Sequence, residues 1–418
     1  VRTTIISTGE ELVRGRSLDT NAPFIATELE RRGFEIVRIT VLGDNPEALA
    51  ETLRGAAEDS ALIIMTGGLG PTADDRTRAA IARAVGEDLV EDADSRRHVE
   101  ERIRSFGHEP SAAHLTQALF PAGAVIFPNG NGTARGFGCH LGDAWLVAMP
   151  GVPSEMHLMF LNEVLPFLLE NLTPGQKLSL DTVHIFPAPE SEVDERIADL
   201  MEFGRNPSVG ITVKDGIVTV SLRARCASQS EADNLVARDA AVVRERFGER
   251  AFGTGDATMP SVLSDMLEEQ GATVATAESL TGGLIAHMLV GIPGISRFLM
   301  GGIVAYSNRA KTRQLGVPEE MIREHGAVSP AVAEAMARGA CAAFGADLGI
   351  STTGIAGPSG GTPEKPVGLV YVGVCLHGRT HVRELNMRGD RERIKDRSAL
   401  YALNDARLAL LGVLDLSA

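Results

Sequence analysis

From its amino end the chain alternates short apolar, β-branched runs with amphipathic stretches: TTIIST, NAPFIATELERRG, EIVRITVLG, PEALAETLRGAA, ALIIMTGG. Strands separated by helices pair in parallel, so this order predicts a parallel sheet covered by helices. A hairpin-like pair, GFGCHL and AWLVAMPG, follows, then a long amphipathic helix from Pro153 to about Leu172. The first domain is expected to close there, spanning 1–172.

ENLTPGQK, with Asn171, Pro174 and Gly175, reads as a linker. Beyond it come a strand (LSLDTVHIF), a helix (SEVDERIADLMEFG), a hairpin (GITVKDGIVTVSLRAR) and a second helix (QSEADNLVARDAAVVRERFG). Asp215-Gly216 between alternating strands is a strong hairpin signal. This β-α-β-β-α order over 176–251 resembles a KH-like module without the GxxG loop that clamps a nucleic-acid backbone, so a spacer or dimerisation role is expected rather than RNA binding. A second linker, GTGDATMP, opens a last α/β domain over 256–418. Its order is helix SVLSDMLEEQ, strand ATVATA, helix LIAHMLV, strand GGIVAYS, helices KTRQLG and SPAVAEAMARGACAAFG, strand DLGISTTG, strands GLVYVGVCL and RTHVRELNM, and a final helix from about Arg391 to Leu411. The fold class is therefore α/β: two three-layer α/β domains joined by a small α+β module, with no repeat relating the first and last.

Composition fits this reading. The 418 residues are 44% hydrophobic and 23% charged, enough for several cores and too apolar for disorder. A net charge of −15 repels polyanions and argues against nucleic-acid binding. Cys139, Cys226, Cys341 and Cys375 are scattered without paired spacing, which suggests buried free thiols rather than a zinc site or disulfide framework. No apolar run is long enough for a membrane span. Glu10, Glu11 and Asp19 fall where a signal peptide needs apolar residues, so a cytoplasmic location is expected.

Ser279, Tyr306 and Thr353 each stand where a predicted strand of the last domain ends, the edge at which open α/β sheets bind ligands. The glycine-rich stretches after them, 281–283 and 353–361, let backbone N–H groups approach a phosphate or an oxyanion. A serine nucleophile needs a proton acceptor, yet His287 lies eight helical positions away, roughly 12 Å down the helix. Gly-x-Ser-x-Gly is also absent. The remaining activators are Tyr306 and Lys311 of YSNRAK, the lysine with a pKa drawn down by nearby N–H donors. The bland alternative is that Ser279 or Thr281 caps the helix and Tyr306 fills core space.

AESLTGG, GGIVAYSNRAK, GAVSP, TTGIAGPSGGTPEKPVG and RGDRERIKDRS, in that order over 256–418, resemble the carboxyl-terminal domain of the CinA family, the nicotinamide-nucleotide amidohydrolases. The resemblance implies hydrolysis of nicotinamide mononucleotide to nicotinate mononucleotide and ammonia, without a cofactor in this domain. It makes Ser279 the nucleophile, assisted by Tyr306 and Lys311. Thr353, Gly354, Gly357, Gly360 and Gly361 then hold the nucleotide, with Glu278, Thr281, Gly282 and Gly283 as further contacts. Arg391 binds phosphate or steadies the site, a role within reach of Arg388, Arg393 and Lys395 too, and a solvated charged face is the alternative.

In the first domain, IIMTGGLGPTADDRT is a strand, a glycine turn and two carboxylates opening a helix. Asp74 and Asp75 beside a phosphate-cradling loop suit a magnesium-assisted phosphoryl site, although one of them would serve as a helix cap. STGEELVRGRSLDTN and MPGVPSEM belong to the same sheet edge. With PNGNGTARGF, these segments resemble the molybdopterin-binding-like fold at the amino end of CinA proteins; Arg135 stands where that motif usually has proline. The resemblance implies ADP-ribose pyrophosphatase activity with a divalent metal, Mg²⁺ or similar, and K⁺. It implies ligand contacts at Glu10, Asp19, Asn21, Gly67, Gly68, Gly70, Thr72, Ser154 and Glu155, with Asp74 and Asp75 as metal carboxylates. A homodimer is expected from the resemblance too. The competing readings are a non-catalytic competence or DNA-damage protein and a pterin-binding first domain.

Overall fold

The computed structural model describes residues 1–172 and 175–417. Pro174 of the first expected linker lies outside the described residues. By internal contacts the chain divides into two compact units, Val1–Ser179 with Ala224–Asn234, and Leu180–Arg223 with Leu235–Ala418.

The first sheet holds β1 (Arg2–Thr8), β2 (Glu35–Leu42), β3 (Leu62–Thr66), β6 (Val125–Phe127), β7 (Gly136–Leu141) and β8 (Ala144–Met149), and a two-stranded ribbon of β4 (Leu89–Glu91) and β5 (Leu119–Pro121) stands apart. Its order is β2-β1-β3-β8-β7-β6. The first four strands are parallel, as the alternation predicts, and β7 and β6 add on antiparallel. Strand periodicity builds the three layers: Leu62 and Ile64 enter one core with Ile25, Leu29 and Phe160, while Ile63 and Met65 enter the other with Leu53, Ile81 and Phe137. Every residue of β3 is buried. The expected long helix is Pro153–Met159 and Leu165–Asn171 joined by a π turn over Phe160–Val164, where Pro166 offers no N–H to the ladder.

The small sheet has the order β10-β11-β9-β12, from β9 (Lys177–Ile185), β10 (Ser208–Lys214), β11 (Ile217–Cys226) and β12 (Ala251–Thr254). The turn between β10 and β11 has positive φ at both Asp215 and Gly216, the mirror-image geometry that twisted hairpins require. β12 is a correction: Ala251–Thr254 pairs antiparallel to β9, so part of the expected second linker is a strand. Its ladder partner comes from far away in the sequence, which local pattern does not reveal.

The last sheet has the order β14-β13-β15-β16-β17, from β13 (Val274–Glu278), β14 (Leu299–Val304), β15 (Leu348–Gly354), β16 (Leu369–Leu376) and β17 (Arg379–Asn386). β14, β13 and β15 are parallel, and β16 and β17 are antiparallel. One face packs Val274, Ile350, Val372 and Val374 against the Met259–Gln270 and Arg391–Leu410 helices. The other packs Ala275 and Ala277 against the Pro330–Phe344 helix. A short helix, Glu319–His325, was not expected from the sequence. Among the described residues no helix is long and apolar enough to cross a membrane.

Candidate functional site: a buried serine–lysine pair and a carboxylate-lined cleft

Because β13, β14 and β15 are parallel, their carboxyl ends share one edge, and the segments leaving them enclose a cavity of about 180 Å³. Ser279, Leu280, Tyr306, Lys311, Ala327, Val328, Thr353, Gly354, Ala356 and Arg391 line it. Ser279 is the first residue after β13, and its N–H donates to Thr352 O. Lys311 belongs to the Asn308–Leu315 helix, capped by Ser307, and that helix turns the ammonium back under the serine. Lys311 Nζ donates to Ser279 Oγ at 2.9 Å and to Ala305 O at 2.7 Å. The lysine is only 1% exposed. Burial brings its pKa down to about 8, so the expected direction holds, but desolvation rather than a ring of N–H donors is the cause.

The helix-cap alternative does not hold. Ser279 bonds to Lys311, and Thr281 shares a 2.7 Å hydrogen bond with Thr352. The cap is Glu278, one residue upstream. Its buried carboxylate accepts from the N–H groups of Gly283, Ile285 and Ala286 at 2.9, 3.1 and 2.9 Å. Glu278 is therefore saturated by backbone and, with Thr281, Gly282 and Gly283, stays out of the cavity lining. Gly282 and Gly283 adopt positive φ to make the turn. Leu280, by contrast, is a lining residue, and its backbone N–H takes no acceptor among the described residues.

Tyr306 fills no core: it is 64% exposed and stands at the rim. Its hydroxyl accepts from Arg391 Nη2 at 3.3 Å, while Arg391 Nη1 donates to Gly357 O at 2.8 Å. Arg391 reaches the cavity, and Arg388, Arg393 and Lys395 do not. Thr353 lines the wall with its hydroxyl spent on Ala327 O at 2.7 Å. Of the expected glycines only Gly354 lines the cavity; Gly357, Gly360 and Gly361 stay outside the lining, and among the described residues no histidine belongs to it. Ala327 and Val328 were missed as wall residues, because nothing in an apolar pair marks it for a ligand.

In the first domain a wider cleft, about 640 Å³, opens at the carboxyl ends of the parallel strands. Asp19, Asn21, Gly67, Gly68, Gly70, Asp74, Asp75 and Glu155 line it as expected. Glu10, Thr72 and Ser154 do not line it. Glu10 pairs with Arg14 on the surface at 3.0 Å, and Glu11 lines the cleft instead. Thr72 donates its N–H and hydroxyl to Asp75 Oδ2 at 2.9 and 2.6 Å, which leaves Asp75 one oxygen uncommitted by that turn. Asp19 Oδ1 accepts from the N–H groups of Asn21 and Ala22. Asn21 Nδ2 donates to Gly151 O at 2.8 Å, and its Oδ1 is buried with no hydrogen-bond partner among the described residues. Glu155 accepts from the buried Asn129 at 2.7 Å. Asp44, holding the Thr8 hydroxyl at 2.9 Å, was missed although it follows β2 at the same edge. The rule that loops after parallel strands carry the ligand, applied to β2, finds it.

Residues 256–410 match the family model described as CinA C-terminal domain, residues 4–170 the probable molybdopterin binding domain, and residues 181–253 the damage-inducible protein CinA KH domain. Among full-length relatives, a CinA-like protein of Kosmotoga olearia is 39% identical over 97% of this chain and 98% of its own. One of Dictyoglomus thermophilum is 38% identical over 99% of this chain and 100% of its own. A solved structure, the competence/damage inducible protein CihA from Agrobacterium tumefaciens, is 38% identical, covers 37% of this chain and 93% of that chain, and has a TM-score of 0.36.

Proposed function

The chain belongs to the CinA family, and from that premise we propose that its last domain hydrolyses the carboxamide of nicotinamide mononucleotide, releasing ammonia and nicotinate mononucleotide. The observation that carries this reading is the buried 2.9 Å contact between Lys311 Nζ and Ser279 Oγ. A lysine with a pKa near 8 is in part neutral at working pH, and a neutral amine accepts the serine proton while still donating to Ala305 O.

Ser279 Oγ attacks the amide carbon as Lys311 takes its proton. The Leu280 N–H is the available donor for the tetrahedral oxyanion. Lys311 then passes the proton to the departing nitrogen, the C–N bond breaks, and ammonia leaves an ester on Ser279. Water, deprotonated by the same amine, attacks that ester and restores the serine. The small cavity suits the pyridine carboxamide. Arg391 and Tyr306 at the open rim suit the phosphate that remains outside.

For the first domain the proposal is metal-dependent cleavage of ADP-ribose. Among the described residues no three His, Cys, Asp or Glu side chains converge on a preformed metal site. Mg²⁺ bound through one or two carboxylates and substrate phosphates needs none, and Asp74 with the remaining oxygen of Asp75 fits that role beside the glycine turn. The metal would neutralise diphosphate charge; the chain's own part is to seat the phosphates on the Gly67–Gly70 loop and to offer Asn21 Oδ1 as an acceptor. The matched family's description favours a pterin as second reading. Calorimetry with ADP-ribose and with molybdopterin separates the two.

Ammonia release from nicotinamide mononucleotide tests the main reading. Wild type is expected to release it and Ser279→Ala to be reduced by at least about a thousandfold. Full activity in Ser279→Ala rejects the nucleophile.

A further inference from the structure

Cys341 and Cys375 come from separate elements that glycine brings together. Cys341 lies in the Pro330–Phe344 helix and Cys375 in β16, directly opposite Gly349 of β15. Directly opposed residues of an antiparallel pair project to the same face. A side chain at Gly349 would run into Ala337 O of that helix, and its Cβ would stand 2.8 Å from Cys341 Sγ. The missing side chain thus lets the helix settle onto the strand pair, with Cys341 Sγ in the gap beside Cys375. The thiol reaches Cys375 O at 3.7 Å.

The surroundings favour a reactive pair. The Cys341 thiol, the Gly378 N–H and the Arg338 charge hold the Cys375 thiol below its ordinary pKa, whereas Cys341, facing it, is pushed up. Cys375 is 2% exposed, and Cys341 is partly exposed and gives access from solvent. Cys139, by contrast, is buried without such neighbours and pushed up to about 12.

We propose that Cys341 and Cys375 form a redox-active dithiol that hydrogen peroxide converts to an intramolecular disulfide. The Cys375 thiolate attacks one peroxide oxygen, the O–O bond breaks, hydroxide leaves and Cys375 becomes a sulfenic acid. Cys341 sulfur then attacks Cys375 sulfur and expels the hydroxyl, which leaves as water with the Cys341 proton. In sum two thiols and one peroxide give one disulfide and two waters. The bridge staples the helix to β16 and shortens the reach of the unfolded chain.

The full chain is treated with hydrogen peroxide, its remaining thiols are alkylated under denaturing conditions, and peptides are mapped by mass spectrometry. Two of the four cysteines are expected to resist alkylation, in one intramolecular peptide linking 341 to 375 that dithiothreitol reopens, with a Tm several degrees higher. Cys341→Ser and Cys375→Ser each abolish the linkage, while Cys139→Ser leaves it intact. Four alkylatable thiols after treatment, a link between chains, or Cys341 carried alone to the sulfinic acid overturns the proposal. If either serine variant fails to fold, the wild-type map decides.

Discussion

Lys311 sits where an ammonium loses more hydration than Ser279 and Ala305 restore, so burial lowers it from 10.5 to about 8. Between those two values the unfolded chain binds more protons than the folded one, so stability rises with pH across that window and the full penalty is carried below it. The gap is worth about 3 kcal/mol at neutral pH. Lys311→Met, similar in length and uncharged, is therefore expected to raise the unfolding free energy measured in urea at pH 7 by up to about 3 kcal/mol, while lowering ammonia release by at least about a thousandfold. A variant both weaker in urea and active would contradict the buried base. On the proposed mechanism the neutral amine is the working form, so kcat/KM for the amide should climb about tenfold per pH unit below 8 and level off above it. A profile flat from pH 6 to pH 9 would remove lysine from the proton path. Tyr306 is held by Arg391 at the exposed rim, and Tyr306→Phe should raise KM more than it lowers kcat.

The Leu284–Val290 helix begins four residues after Leu280, the neighbour of Ser279, and three of its unsatisfied N–H groups, counting the cap, close on Glu278. That carboxylate fixes the turn between β13 and the helix, and Ser279 is its first residue. Glu278→Gln keeps one acceptor oxygen but turns an NH₂ toward backbone donors; a loss of about 1–3 kcal/mol is expected, with a fall in kcat for the amide while KM holds. Unchanged melting and unchanged kcat would mean the turn needs no cap. The sequence announced this turn but not the part Glu278 plays in it, since a glutamate at a strand end reads as readily as a ligand group as a cap. Several regular elements were legible in their apolar spacing, β3, β11 and the Pro330–Phe344 helix among them, although the Ala93–Ser105 helix was not read. What escaped were pieces whose reason lies elsewhere in the chain. β12 exists because β9 offers it an edge, and the π turn at Phe160–Val164 stands ahead of Pro166 in a stretch that reads as continuous helix. Asp44 and Leu280 escaped as well, the one a lone acid after a strand, the other useful only through its backbone.

At the scale of the whole chain, two sites with different chemistry draw on separate sequence. The Ser279–Lys311 cavity takes its lining from residues between Ser279 and Arg391, and the carboxylate cleft from residues between Thr8 and Glu155. Each stands at the edge of its own sheet, over its own buried clusters. On the proposed reading the two also need different help: the acids of the cleft would bind phosphate only with a cation between, whereas the Ser279–Lys311 pair would supply its own nucleophile and base. Chelation should therefore split the activities. With EDTA in excess, ADP-ribose cleavage is expected to fall by more than about a hundredfold and to return with Mg²⁺, while ammonia release from nicotinamide mononucleotide stays within about twofold of its untreated rate. Asp74→Asn should reproduce the chelated state in protein that never met the chelator, and Ser279→Ala the reverse. Were EDTA to silence both reactions, the lysine-assisted route would lose its independence from metal; were it to silence neither, Asp74 and Asp75 would be left with the turn they help to build and no ion to hold.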